Sequence, residues 1–222
     1  MYNQKMEIIR LEEVDSTQKY LKEYIQQNGY KKPLCIVTNL QTAGVGSRGN
    51  SWSGKEGNLF FSFVLKKDEL PKDLLLQSAS IYFTFILKEI LASFGSKVYI
   101  KWPNDFYIDD KKIGGAITSV SGELFYCGIG INLFEVSSEY GKLDIDINVD
   151  LLLKNYFEKL EEKILWKQIF SQFKIEFKKS KKFQATVDDK KISLEKAILN
   201  SDGSIQIENK KVFSLRWLRL FQ

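Results

Sequence analysis

The chain predicts an α+β fold, a mixed and mostly antiparallel sheet packed on helices, and three observations carry that prediction. Apolar or alternating runs at Leu34 to Asn39, Asn58 to Leu65, Ile113 to Val120 and Glu123 to Leu133 read as strands of a buried sheet. Segments from Gln18 to Asn28 and from Asp73 to Phe94 repeat apolar residues at helical spacing. Short polar turns at 109–112 and 121–122 join consecutive strands, which is how antiparallel neighbours are connected.

Taken in order, residues 6–14 (MEIIRLEEV) form a short strand, and Asp15-Ser16-Thr17 caps a helix that stops at Asn28-Gly29. Leu34 to Asn39 is a second strand. A glycine-rich loop with Gly44, Gly46 and Gly49 links it to Asn58–Leu65 (NLFFSFVL), a core strand because it is almost wholly apolar. Asp73 to Phe94 is the long helix, ended by Gly95. Lys97 to Trp102 is strand-like up to the turn Pro103-Asn104-Asp105, after which 106–108 and 113–120 flank the polar tip 109–112 as a hairpin. Asp150 to Lys179 reads as helix with a break near Glu161-Glu162. From Phe183 onward, short alternating segments at 185–187, 192–194, 205–207 and 212–215 alternate with DDKK, NSDG and ENKK turns. So small a β module needs support from its neighbour and is expected to pack on the main domain. The expected division is 1–181 and 182–222.

Composition narrows the chemistry. With 222 residues and 44% hydrophobic content the chain can bury a real core. The longest uncharged apolar stretch, Ile81 to Leu87, is too short to span a bilayer, and no leader-like segment is visible, so a cytoplasmic protein without a membrane partner is expected. Cys35 and Cys127 sit in apolar runs without metal-ligand spacing and read as buried thiols. There is no histidine, which removes Ser-His-Asp and Cys-His catalysis and histidine general bases together. Net charge is +5, but residues 1–150 hold 17 Lys/Arg against 19 Asp/Glu, while 151–222 hold 16 against 9. That basic excess is either a solvated helix face or an attraction for nucleic acid or an acidic protein.

Four segments hold the candidate chemistry. Ser16-Thr17-Gln18 opens a helix and can hold a small polar head group, although a plain cap explains it as well. In Gln41 to Trp52 (QTAGVGSRGNSW), glycines allow close backbone approach, and Arg48 offers a permanent cation for a carboxylate or phosphate. Neither a P-loop nor a dinucleotide fingerprint has this spacing. Lys112 precedes Ile113-Gly114-Gly115, where a ligand can lie flat on a strand while the ammonium reaches an anion. Asn104, Asp105 and Asn132 lie in the neighbouring motifs, and Asp105 is a candidate for a Mg²⁺ ion carried by ATP phosphates.

These motifs together resemble the catalytic domain of biotin protein ligases. The glycine-arginine loop corresponds to Gln41 through Trp52, Lys-Trp-Pro-Asn-Asp is intact at Lys101 to Asp105, the Lys-Ile-x-Gly segment begins at Lys112, and Gly-x-Gly-Ile-Asn lies at Gly128 to Asn132. Asp15-Ser16-Thr17 fits as well. The resemblance implies a class II synthetase-like catalytic domain followed by a small SH3-like barrel. It implies that biotin is activated by ATP and Mg²⁺ to biotinyl-5′-adenylate, then passed to a lysine of a biotin carboxyl carrier protein. Lys112 and Arg48 become the catalytic residues. Ser16, Thr17, Gln18, Gln41, Gly44, Gly114, Gly115 and Gly128 join Lys112 around biotin, and Arg48, Trp52, Lys101, Asn104, Asp105 and Asn132 join it around the nucleotide. A monomer or weak homodimer is implied.

The chain departs from the family pattern in two ways. Val45, Ser47 and Asn50 stand where the family loop has arginines, so faster escape of the adenylate is expected. The first catalytic strand begins near residue 6, so no operator DNA binding is expected. Two rivals remain: a lipoate or octanoate ligase or transferase, whose usual motif contains a histidine that this chain lacks, and a non-catalytic nucleic-acid-binding module using the basic C-terminal third.

Overall fold

The computed structural model describes residues 5–46, 51–52, 55–187 and 190–213. Strand β1 (Glu7–Arg10) leads into helix α1 (Thr17–Asn28) and strand β2 (Leu34–Thr38). A small ribbon, β3 (Gly44–Val45) with β4 (Ser51–Trp52), precedes β5 (Leu59–Lys66). Helix α2 (Ala79–Ser93) follows, then β6 (Tyr99–Lys101), β7 (Asp105–Ile108), β8 (Lys111–Ser121) and β9 (Leu124–Ile131), then α3 (Val149–Glu161) and α4 (Trp166–Glu176). The central sheet has seven strands in the order β1-β2-β5-β9-β8-β7-β6. Only β1 and β2 pair in parallel, because α1 carries the chain back between them; the remaining pairs are antiparallel.

Strand alternation divides the sheet into two unlike faces. On one face Phe61 and Phe63 of β5 pack edge-on against Phe83, Tyr156 and Phe157, with the Phe63–Phe83 centroids 5.1 Å apart. Helix α2 is buried continuously from Ala79 to Leu87, since the sheet covers one side of it and α3 and α4 the other. Opposite, α1 buries Leu21 and Ile25 against Leu34, Ile36, Val64 and Tyr126, but covers only part of the sheet. Among the described residues no helix is long and apolar enough to cross a membrane.

Beyond α4, a 3-10 turn (Phe177–Lys182) leads to the hairpin β10 (Gln184–Val187) and β11 (Lys190–Ser193), then to a three-stranded sheet, β12 (Ile198–Leu199), β13 (Ile205–Ile207) and β14 (Lys210–Val212). This module joins the main core through Leu194, Ala197, Ile205 and Ile207. Three successive carbonyls bind it further. Ser201 O accepts from the Trp166 indole at 2.8 Å, Asp202 O from Ser78 Oγ at 2.9 Å, and Gly203 O from the Trp102 indole at 2.8 Å. The expected strand at 212–215 is described only as far as Phe213.

Two boundaries differ from the expectation, each for a local reason. The first strand stops at Arg10: Leu11 N still donates to Val37 O, but Glu12 O is taken by the Thr38 hydroxyl, and regular pairing lapses until Val14 bridges Gln41. The long helix begins at Ala79, not Asp73, whose carboxylate instead caps the start of α4 by accepting from Trp166 N (2.9 Å) and Lys167 N (3.1 Å). The break between α3 and α4 opens at Glu161-Glu162 as expected, and Lys163 within it has a positive φ of 48°.

Candidate active site

On the sheet face that α1 leaves open there is a cavity of about 340 Å³. Its floor follows from register. Ser62, Gly128 and Ile117 form one cross-strand row, and Phe60, Gly130, Gly115 and Asp105 form the next. Three glycines therefore lie on adjacent strands of one face, so a flat ligand can rest on bare peptide planes. Site side chains occupy the space their Cβ atoms would need. A Cβ on Gly128 would come 3.0 Å from Ser62 Oγ, one on Gly130 3.0 Å from the Trp52 ring, and one on Gly115 3.0 Å from Asp105 Oδ1.

The polar end of the cavity is set by the start of α1. Ser16 has extended backbone and its Oγ accepts from Lys19 N at 3.4 Å, the N-cap expected from sequence. Thr17 donates to Gln41 Oε1 from both its backbone nitrogen (2.8 Å) and its hydroxyl (3.0 Å), and that hydroxyl lies 2.8 Å from Ser62 Oγ. Two donors of one residue, Thr17, thus fix the orientation of the Gln41 amide, with Ala43 N held on Asp15 O at 2.9 Å behind it. Gly44 is required beside it, since a Cβ there would stand 2.8 Å from both Gln41 Nε2 and Trp52 O. Two donors of cavity-lining residues, Gln18 Nε2 and Trp52 Nε1, are buried with no hydrogen-bond partner among the described residues. Unpaired buried donors cost on the order of 1–3 kcal/mol each, so a ligand carrying acceptors is strongly favoured in this space.

Lys112 supplies the cationic end, and a β-bulge puts it there. Along β7 and β8, Phe106 opposes Gly114 but Tyr107 opposes Lys112, so Ile113 is the extra residue. The bulge re-aims Lys112 onto the face that carries Gly115 and Asp105, whereas strict alternation would have sent it to the core side. Its Nζ lies 2.6 Å from Asp105 Oδ1 and 5.5 Å from the centre of the Trp52 ring. Next to it, burial foremost and then the Asp105 charge push the Tyr107 phenol above its ordinary range.

Asparagines brace the surrounding turns. Asn104 O accepts from Ala116 N at 3.1 Å while its amide donates back to Ala116 O, which locks the turn that presents Asp105. Asn132 donates from Nδ2 to Gly141 O at 3.0 Å and accepts at its carbonyl from Leu143 N at 2.8 Å, holding the strap that brings Val136 and Tyr140 to the cavity. Asn58 Oδ1 accepts from Leu133 N and Phe134 N at 2.8 and 2.9 Å.

Of the residues singled out from sequence, Ser16, Thr17, Gln18, Gln41, Trp52, Asn104, Asp105, Lys112, Gly115, Gly128 and Asn132 line this one cavity. Gly114 turns the other way, with its Cβ position 2.5 Å from Gly130 O. Lys101 stands outside the lining, its Nζ over the Tyr107 and Phe183 rings. Arg48, with Ser47 and Asn50, lies outside the described residues. Among the described residues no three His, Cys, Asp or Glu side chains converge on a metal position, and the Asp105 carboxylate is engaged by Lys112, so these residues do not form a cation cage. Sequence reading missed Ser62, Phe60, Ile117, Val136 and Tyr140. Ser62 alone left a signal, as the one hydroxyl within an apolar strand.

Residues 11–133 match the model of the biotin/lipoate A/B protein ligase family. The bifunctional ligase/repressor BirA of Escherichia coli is 31% identical over 127 residues, 54% of this chain and 38% of that protein. The matched part of the chain thus spans about two fifths of the length of the curated relatives of this kind. The crystal structure of biotin acetyl coenzyme A carboxylase synthetase from Helicobacter pylori with bound biotinylated ATP is 38% identical, with a TM-score of 0.89 over 95% of this chain and 100% of that one. Biotin protein ligase from Aquifex aeolicus, in complex with biotin and ATP, shares the fold at 24% identity and a TM-score of 0.73, over 93% and 94%. With its glycine-floored cavity, bulge-directed lysine and matched residues 11–133, the chain belongs to the biotin/lipoate A/B protein ligase family.

Proposed function

We propose that this protein is an ATP-dependent biotin–protein ligase acting on a biotin carboxyl carrier protein. The observation that carries this reading is the polarity of the cavity: a fixed hydroxyl and amide cluster at one end, a flat glycine floor between, and a lysine at the other. A ligand with a compact polar head, an apolar tail and a terminal carboxylate matches that sequence of surfaces. The polar head sits against Ser16, Thr17, Gln18 and Gln41, and the chain crosses Gly128 and Gly115.

In the first step the biotin carboxylate oxygen attacks the α-phosphorus of ATP, and the bond to pyrophosphate breaks. Lys112 leaves Asp105 to hold both anions, which offsets their repulsion and stabilises the charge that develops on the phosphoryl oxygens. Trp52, Asn104, Asp105 and Asn132 bound the nucleotide side, and the family resemblance assigns Arg48 to the nucleotide as well. Any Mg²⁺ would be held chiefly by the ATP phosphates it neutralises, Asp105 being the carboxylate among the described residues of the cavity lining, and no step depends on a protein-built ion site. In the second step the amine of the carrier lysine attacks the acyl carbon and AMP departs. Neither step needs a histidine, because positioned charge replaces a strong base.

The same reading assigns residues 1–181 to the catalytic domain and 182–222 to a small SH3-like domain. Incubation with ATP, Mg²⁺ and either biotin or lipoate, followed by pyrophosphate release and label transfer to a carrier domain, tests it. Biotin-dependent turnover is expected; turnover with lipoate alone moves the activity to the sister branch of the family, and none with either removes the ligase reading.

A further inference from the structure

Beside the cavity the sheet ends in a basic and aromatic surface that the two chemical steps leave unused. Register places Tyr99 opposite Tyr107, Tyr107 opposite Lys112, and Lys101 opposite Asp105, so these side chains share the face on which the cavity opens. Phe183, arriving from the 3-10 turn, packs its ring 5.0 Å from that of Tyr107. Lysines stand over this ring cluster: Lys101 over Tyr107 at 5.3 Å, Lys179 over Tyr99 at 5.2 Å, and Lys182 over Phe183 at 5.2 Å. A shallow depression of about 380 Å³ opens there, lined by Lys97, Lys178, Lys179 and Lys182 together with Tyr99 and Asp109.

Ring contact limits the freedom of each ammonium group while leaving it wet, since the Lys179 and Lys182 side chains are 53% and 54% exposed. An incoming carboxylate therefore meets cations that are already ordered, and less rotamer entropy is lost on contact. We propose that this surface, continuous with the Lys112 end of the cavity, docks an acidic face of the protein that accepts the acyl group. The inference rests on the ligase reading, which requires an acceptor lysine to enter the same cavity from a neighbouring surface.

Charge placement favours a protein over a nucleic acid. Asp109 lines the depression, Asp110 pairs with Lys182, and Glu176 pairs with Lys179, which breaks the uninterrupted positive field that a phosphate backbone follows. The ring faces are occupied by ammonium groups and so are closed to base stacking. A folded acidic partner, with separate carboxylates, suits such a mixed pattern.

The test uses the full chain carrying Lys178→Glu and Lys179→Glu, with Lys178→Gln and Lys179→Gln as a milder pair, and a recombinant biotin carboxyl carrier domain of acidic net charge as probe. Direct titration of the carrier, without biotin, reads the surface independently of turnover. Carrier affinity is expected to fall roughly tenfold or more in the charge-reversed protein, less in the glutamine pair, and its dependence on salt is expected to flatten. Biotin-dependent pyrophosphate release without carrier stays unchanged. Unaltered carrier affinity and salt slope overturn the proposal, as does an oligonucleotide that binds the parent protein and loses affinity in the variants while the carrier does not. Loss of pyrophosphate release in the parent protein strikes the ligase reading instead, and the carrier titration still decides the surface.

Discussion

The two faces of the central sheet are built from the same strands and obey different rules. On one face Phe61, Phe63, Cys127 and Ile131 fill the space beneath the helices, and bulk at each position adds stability. On the other, the alternate residues Ser62, Gly128 and Gly130 leave space, and the absence of bulk makes the site. One step along a strand therefore separates folding from recognition. Substitutions a single residue apart ought to damage different properties, and that expectation can be broken experimentally.

The largest effect on stability is expected from Phe63→Ala, which removes a ring that meets Phe83, Tyr156 and Phe157. Loss of about 3–5 kcal/mol is expected from denaturant unfolding, by the usual cost of such truncations. A loss below 1 kcal/mol would mean that the aromatic face is not the core it looks to be. Lys112→Ala is the counterpart on the open face. Biotin-dependent pyrophosphate release should fall by roughly a hundredfold to a thousandfold with little change in unfolding midpoint, and an unaffected rate would remove Lys112 from the chemistry.

Gly114 and Gly115 sharpen the comparison most directly, being consecutive residues facing opposite ways. Alanine at 114 would press against Gly130 O, a backbone atom 2.5 Å away, and should cost about 1–3 kcal/mol of stability. Alanine at 115 would press against the Asp105 carboxylate at 3.0 Å, a side chain that can turn, and should mainly weaken ligand binding. Calorimetry with and without biotin separates the two; equal loss of melting temperature in both would defeat the two-face account.

The smallest effect concerns pH. Burial pushes the Cys127 thiol up to about 12 against an ordinary 9.0, although a hydrogen bond from Thr118 pulls the other way. The folded state therefore keeps a proton that the unfolded chain releases. Its contribution to stability is complete below pH 9.0 and is lost as pH rises toward 12. Unfolding midpoints measured from pH 8 to 11 should decline less steeply in Cys127→Ala, and an identical slope would count against a protonated buried thiol.

Much of this arrangement was legible in the sequence, and the gaps have physical causes. The sheet was readable because β5 and β9 are apolar along their length, and the polar end because Asp15-Ser16-Thr17 is a cap whose geometry is local. The bulge at Ile113 was not readable, since pairing register is decided by the partner strand; without it, Lys112 and Gly115 belong to opposite faces. For the same reason Gly114 looked equivalent to Gly115. Tyr140 and Val136 reach the cavity only because Asn132 anchors an irregular strap nine residues across, and no periodicity marks such a path. Trp52 could be placed in the site by its motif, but its position over Gly130 depends on the ribbon of β3 and β4, which spans four residues in all.

The three carbonyls at Ser201, Asp202 and Gly203 give the C-terminal module a status that its composition hides. Their donors come from before α2, from the end of β6 and from the start of α4, three stations far apart along the chain. Removing the module would strand two indole N–H groups and a serine hydroxyl at once, within surfaces that are otherwise apolar. What reads in sequence as an appendage is thus a keystone: the backing helices, the sheet edge and residues 201–203 hold one another in place, so none of the three is seated alone.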